Sequence, residues 1–343
     1  MTQKLKKSEL IINPDGRLYH IDLGPQDKVP RKILLVGDPA RVEKAARFFD
    51  DSKIQGQRSH REFTTAWGKY HGVPVAVMGT GIGTDNVEIA VTELDALFRF
   101  DSSSMLWKPR SPETRMDLIR VGTSGSPRSD LKVGTIGITN YAIGLDNTGL
   151  FYLHKSAQDY VSNPNAIFYT PVDWDTIPKS IWNAFSELLP PLARVAIKHY
   201  VSRADPEVVS KMFQIANDLQ ASGVIIASDV GITTSASGFY APQGRAIGDD
   251  PNILIENLQD LLAQLSSKLA EYGVYTIRPV TNEMESSALF RIAGEYLGHR
   301  VGTVCAILAN RAEGEFITPA GYEQSVNGAL QIGFETLHAL GDS

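Results

Sequence analysis

The sequence predicts an α/β fold: a single domain over residues 1–343, three layers deep, with helices on both faces of a mostly parallel, twisted central sheet. Three observations predict it. Short continuous apolar runs end in turn residues, as strands buried on both faces do. Segments of helical periodicity follow them. The turns that close those runs carry the unusual polar residues, and in such sheets ligands collect beyond the carboxyl ends of the strands.

In chain order, Lys32-Ile33-Leu34-Leu35-Val36 is the first apolar run; it closes on Gly37-Asp38-Pro39, and residues 41–49 then have helical spacing. Residues 74–78 form a second strand, ending in Gly79-Thr80-Gly81-Ile82-Gly83. Asp85 is placed to cap the next helix, with Glu88 three residues on, and Val87, Ala90, Val91, Leu94 and Phe98 form its apolar face. Leu118-Ile119-Arg120-Val121 is the third strand, bounded by the small residues Gly122-Thr123-Ser124-Gly125. Residues 133–139, 224–228 and 301–308 are further strands, the last preceded by a helix over 285–297. A final amphipathic helix carries Val326, Leu330, Phe334 and Leu337.

Two stretches interrupt this rhythm. Residues 99–114, with Ser102-Ser103-Ser104 and Pro109, read as an exposed loop. Residues 151–222 hold Pro171, Pro178, Pro190 and Pro191 and two helix-like runs, around 181–189 and 205–219; Asp205-Pro206 is an N-cap and N1 pair. This stretch shows no clear strands, so both are read as insertions in one domain.

Composition excludes several classes of function. With 43% hydrophobic residues the chain can bury a large core, and its net charge of -6 argues against a nucleic-acid binder. Cys305 is the single cysteine, which excludes an intramolecular disulfide framework and a Cys-rich metal site. Residues 1–10 lack the apolar centre of a secretory signal, and no apolar run is long enough to span a bilayer. The expectation is a soluble, cytoplasmic protein with no nucleic-acid or membrane partner.

Arg120 is the anomaly. A guanidinium is rarely buried unpaired, so a partner must lie near the end of its strand. The small residues after it let backbone N–H groups approach a ligand, and two hydroxyls stand among them. That set suits an oxyanion such as phosphate; an ordinary core strand whose Arg pairs with an internal carboxylate explains it equally well. Gly37-Asp38-Pro39-Ala40-Arg41 puts an arginine one turn into a helix, and taken alone is an ordinary turn. Gly79 to Gly83 is G-x-G-x-G with no acidic residue placed for a ribose, a weak dinucleotide signal. Ser59-His60-Arg61-Glu62-Phe63 reads by default as a solvated edge. In Phe239-Tyr240-Ala241-Pro242-Gln243-Gly244-Arg245, a stacking face, an amide and a guanidinium fork suit a flat polar heterocycle, although a surface loop also accounts for them. Asn282-Glu283-Met284-Glu285-Ser286 opens a helix with two carboxylates, which serve either the helix dipole or a sugar diol. Asn310-Arg311 follows the last strand.

Taken together and in this order, these segments resemble the nucleoside phosphorylase-I family, and within it the uridine-cleaving branch. The resemblance runs from about His20 to the C-terminus, broken by the two insertions. It implies that Gly37, Arg41, Arg120 and Thr123 hold phosphate, with Arg61 reaching in from a neighbouring subunit. It places ribose on Thr123, Met284 and Glu285, with the neighbour's His20 near the 5′-hydroxyl. It gives the base to Ser124, Gly125, Phe239, Gln243, Arg245 and Glu283. Arg120, Gln243 and Arg245 would carry the catalytic electrostatics. The Gln-x-Arg pair separates this branch from the purine-cleaving members, and so does Asn310, where those place an acidic proton donor.

The implied reaction is reversible phosphorolysis of uridine, or deoxyuridine, to uracil and ribose 1-phosphate, as in pyrimidine salvage. Phosphate is a co-substrate and no organic cofactor is implied. Asn86 stands where bacterial relatives have a serine that helps bind a cation between subunits, which leaves Glu62 as the residue carried over for an interface cation. The insertions favour a homodimer over a hexamer. A purine nucleoside phosphorylase or a nucleosidase on the same scaffold remains an alternative, as does a non-catalytic nucleoside- or phosphate-binding module.

Overall fold

The computed structural model describes residues 5–152, 176–249 and 252–341. Strand β1, Lys32–Val36, is buried at every position and leads into helix α1, Ala40–Ala46. Three antiparallel strands follow: β2 (Gly56–His60), β3 (Phe63–Tyr70) and β4 (Val73–Gly79). Helix α2, Thr84–Arg99, comes next, and then a small hairpin of β5 (Phe100–Asp101) and β6 (Leu106–Trp107). The long strands β7 (Asp117–Ser126) and β8 (Ile136–Leu145) precede α3 (Thr176–Leu188), α4 (Pro191–Ala196), β9 (Tyr200–Arg203) and α5 (Pro206–Ala221). The chain finishes with β10 (Ser228–Ala236), α6 (Leu258–Glu271), β11 (Pro279–Glu283), α7 (Ser286–Ala288), β12 (Arg300–Asn310), β13 (Glu315–Phe316) and α8 (Pro319–Ala339). Helix α7 runs straight into a π-helical stretch, Leu289–Tyr296.

Alternation along the central strands builds the layers. On β1, Ile33 and Leu35 join one buried cluster, while Leu34 and Val36 join another. Ala76 and Met78 of β4 divide from Val75 and Val77 in the same way. The first cluster takes Val87, Ala90 and Leu94 of α2 with Phe290 and Ile292 of the π-helical stretch. The second takes Val42 of α1, Val208 and Met212 of α5, and Leu330 and Phe334 of α8. Successive residues of a strand point to opposite faces, so helices cover the sheet on both sides. Each fully buried Leu or Val contributes about 1.5–3 kcal/mol of transfer free energy.

The sheet is mixed rather than mostly parallel. Parallel pairing joins β4 to β1, β1 to β7, β7 to β12, and β8 to β10 to β11. The β2–β3–β4 meander, β8–β9, β12–β13, β12–β8 and β11–β7 are antiparallel. Because β7 pairs with both β11 and β12, the strands β7, β12, β8, β10 and β11 close into a ring. The antiparallel edge follows from short connections that turn the chain directly back, where a parallel crossover would need a dozen residues or more.

Several local readings shift. Strand β7 continues through Gly122-Thr123-Ser124-Gly125 instead of ending at Val121. Residues 224–227 are not strand; Val224 and Ile226 are exposed, and the pairing starts at Ser228. The predicted fourth strand is displaced, from 133–139 to Ile136–Leu145. Residues 99–114 are more than an exposed loop: Arg99 is buried, pairs with Asp95 at 2.8 Å and donates to the Lys108 carbonyl at 3.1 Å. Residues 151–222 do contain a strand, β9, on the edge of β8, and residues 153–175, including Pro171, lie outside the described residues. Asp85 does not cap α2, where Gly83 takes that place; it accepts a hydrogen bond from Thr148 at 2.6 Å instead. Asp205 caps α5 as expected, accepting from the N–H groups of Glu207 and Val208.

Candidate active site

The carboxyl ends of β1, β7, β11 and β12 and the turn after β10 surround a cavity of about 1160 Å³. Arg120 projects from β7 and is 5% exposed. Its Nη1 lies 3.0 Å from Glu283 Oε2, and its Nη2 pairs with Glu285 Oε2. Nη1 also lies 3.5 Å from the thiol sulfur of Cys305, which burial pushes up to about 12. Burial works against the guanidinium's charge, but the carboxylates of Glu285 and then Glu283 outweigh it and hold its pKa above the ordinary value. The buried arginine thus has internal carboxylate partners, and they line the same cavity as its own guanidinium.

Glu285 is buried at the N-cap position of α7, not within a helix as the sequence suggested, and Asn282 and Glu283 are still strand. Burial raises the Glu285 pKa; Arg120 opposes the shift, and the nearby Glu283 carboxylate adds to it. The Gly83 N–H donates to Glu285 Oε1 at 2.9 Å. Gly83 has φ +96°, which glycine alone adopts without strain. The glycine-rich turn after β4 thus holds a carboxylate. The Glu283 carboxylate is engaged by Arg120, the Ser235 hydroxyl and the N–H groups of Glu285 and Ser286, so its carbonyl oxygen is what it offers the far end of the cavity.

Arg41, in the first turn of α1, donates from Nη2 to Thr123 Oγ1 at 3.3 Å, while its buried Nε has no partner among the described residues. Gly37 stands at the end of β1, where a Cβ would meet the Gly81 carbonyl at 3.4 Å. Gly37, Arg41, Arg120 and Thr123 all line the cavity and make a cationic, hydroxyl-bearing end. At the other end the Arg245 guanidinium stacks on the Phe239 ring, 3.9 Å from its centroid, and donates to the Phe239 carbonyl at 2.7 Å. Gln243 is buried; its Oε1 accepts from Arg245 and its Nε2 lies 3.4 Å from the Glu283 carbonyl. Burial lowers the Arg245 pKa. Ser124, Gly125 and Met284 also line the wall.

The sequence profile of the Phosphorylase superfamily matches residues 31–332. The chain belongs to that superfamily. A uridine phosphorylase of Thermococcus kodakarensis is 30% identical over 319 residues, covering 92% of this chain and 86% of the relative. A uridine phosphorylase of Haemophilus influenzae is 25% identical over 324 residues, covering 94% of this chain and 98% of its own. Among solved structures, a Trypanosoma brucei nucleoside phosphorylase that shows uridine phosphorylase activity superposes with a TM-score of 0.83 at 28% identity, covering 96% of this chain and 99% of that one. The fold is therefore the nucleoside phosphorylase fold, and the chain is an enzyme of this superfamily.

Two residues singled out from the resemblance do not line this superfamily cavity. Arg61 is exposed, donates to the Tyr19 hydroxyl at 2.8 Å and lies over the Tyr19 ring. His20 packs edge-on against Tyr19; its Nδ1 lies 2.6 Å from Glu93, and its carbonyl is 3.0 Å from His60 Nδ1. Tyr19, His20, His60 and Arg61 thus form one cluster, outside the chain's own cavity. Glu62 lines the cavity rim together with Asn86. Among the described residues no three His, Cys, Asp or Glu side chains gather to hold a metal ion.

Asn310, at the position where the purine-cleaving members place an acidic proton donor, has its amide engaged by backbone. Its Nδ2 donates to the carbonyls of Arg128, Ser129 and Leu131, and its Oδ1 accepts from Ala312 and Glu313, so the amide fastens a loop. Arg311 was left without a role by the sequence. It lines the cavity and donates to the Gln243 carbonyl at 2.7 Å; burial, with Arg245 nearby, brings it down to about 10. Its place after a long apolar strand was the available signal.

Proposed function

We propose that this chain is a uridine phosphorylase, converting uridine and phosphate reversibly to uracil and ribose 1-phosphate. The observation that carries the reading is the division of one cavity into a cationic end at Arg41 and Arg120, a carboxylate at Glu285, and an amide–guanidinium pair on an aromatic ring at Gln243, Arg245 and Phe239. Phosphate, sugar diol and pyrimidine need those three chemistries in that order. Similarity to uridine phosphorylases across nearly the whole chain supports the same substrate.

In this mechanism the C1′–N1 bond breaks and its electron pair leaves with the base. Phosphate held by Arg41, Arg120, Thr123 and the Gly37 turn stabilises the oxocarbenium-like sugar and then bonds to C1′ through one oxygen. Gln243 and Arg245 donate to the carbonyl oxygens that take up the negative charge, preorganised where it develops. Glu285 accepts from the ribose hydroxyls, with Met284 against the sugar. Uracil leaves after taking a proton from solvent. No covalent intermediate forms on the enzyme. His20 and Arg61 complete the site of a neighbouring subunit in a homodimer, which the insertions favour over a hexamer.

An absorbance assay of uridine, deoxyuridine, inosine and adenosine, each with and without phosphate, tests the proposal. Uracil release from uridine only when phosphate is present is expected. Base release without phosphate would make the protein a nucleosidase. Preference for inosine would make it a purine enzyme, and tight uridine binding without turnover a binding module.

A further inference from the structure

Asn282 stands at the last position but one of β11, is 3% exposed and lines the cavity. Neither its Oδ1 nor its Nδ2 has a hydrogen-bond partner among the described residues. A buried amide with two N–H donors and a carbonyl oxygen all unmatched is destabilising for the protein that carries it. Such groups persist where a ligand completes them.

The sheet fixes where this amide sits. Asn282 is opposite Gly125 of β7 and beside Thr234 of β10. Gly125 lies two residues beyond Thr123, the residue Arg41 reaches, and a Cβ there would meet the Arg311 side chain at 3.6 Å. The next residue along β11, Glu283, has its carbonyl oxygen 3.4 Å from Gln243 Nε2. Asn282 therefore belongs to the end formed by Gln243, Arg245 and Arg311. Ser124, in the same wall, also has a buried hydroxyl without a partner.

We infer that Asn282 is a second amide that reads the base. It donates to a ring carbonyl and accepts from a ring N–H, the donor-plus-acceptor pattern that Gln243 also offers. This makes Asn282 a specificity-determining residue for bases that present both groups on one edge. The inference rests on the cavity being a nucleoside site.

The test replaces Asn282 with Leu, which keeps the same branched heavy-atom skeleton and has no polar atom, and measures uracil, uridine and phosphate binding by calorimetry alongside thermal unfolding. Affinity for uracil and uridine falls by about tenfold, the loss expected for one hydrogen-bonding group. Phosphate affinity stays within about twofold, and Tm is unchanged or higher because an unmatched buried amide has gone. If the Leu variant does not fold, Asn282→Ala is read in the same way. Unchanged base affinity overturns the inference. So does a lower Tm with base and phosphate affinities lost together, since that marks a structural amide. Wild-type protein that binds uracil but releases none from uridine in phosphate counts against the enzymatic reading alone, while the binding comparison still scores Asn282. Wild-type protein that binds no uracil contradicts both.

Discussion

Arg120 pairs with two buried carboxylates and is the proposed phosphate donor, so its removal tests both roles. Arg120→Ala deletes that donor and leaves Glu283 and Glu285 buried side by side without their counter-charge. Breaking a buried ion pair from one side costs about 3–5 kcal/mol, and losing one preorganised donor costs about a hundredfold in rate or more. We expect turnover to fall by at least that factor and Tm to drop with it; wild-type rates at ordinary phosphate concentrations would remove Arg120 from the site. Gln243→Ala should lower kcat/KM for uridine while phosphate KM stays near wild type, and equal loss in both would point to collapse of the 239–245 turn. The raised pKa of Glu285 sets a pH dependence. A carboxyl raised by folding stabilises the protein below its ordinary range and loses that contribution as pH rises through the raised value. With Glu285 as the proposed diol acceptor, ribose binding needs its carboxylate, so uridine KM should climb as pH is lowered from neutral, before the ordinary carboxylate range is reached. A KM flat down to that range would exclude Glu285 as the diol acceptor. Arg120 was legible because a buried guanidinium demands a partner. Asn282 was not, because an asparagine before two glutamates looks like a helix start.

Elements hold these side chains through close backbone contacts. Gly231 of β10 lies against the Arg278 carbonyl oxygen just before β11, and a Cβ there would overlap it. Gly231→Ala should therefore lower Tm and, by displacing β11, weaken nucleoside binding; an unchanged Tm would show that β11 can shift without cost. Strands β1, β4 and β12 were legible from their continuous apolar runs. The reach of β7 to Ser126 was hidden because small residues imitate a turn: a Cβ at Gly122 would collide with the Arg120 guanidinium that lies over it. Strand β2 was hidden because Gly56–His60 is a half-exposed edge without a buried face. The ring of β7, β12, β8, β10 and β11 joins residues far apart in sequence, and no local pattern encodes such pairing.

At the scale of the whole molecule, the cluster of Tyr19, His20, His60 and Arg61 makes the proposed dimer testable. In a twofold dimer each site would combine its own Arg120 with the partner's Arg61. Mixing inactive Arg61→Ala and Arg120→Ala proteins under conditions of subunit exchange should then rebuild one intact site per hybrid, roughly a quarter of the wild-type rate. No recovery would place each site within one chain. The resemblance supplied Arg61 and His20; one chain brings them together around Tyr19, away from its own cavity. In the proposed reaction phosphate itself attacks the sugar. Phosphorus NMR of the protein turning over uridine measures this directly. The prediction is ribose 1-phosphate formed in equal amount to uracil, with neither product in phosphate-free buffer; uracil accompanied by free ribose, or no uracil at all, would contradict it.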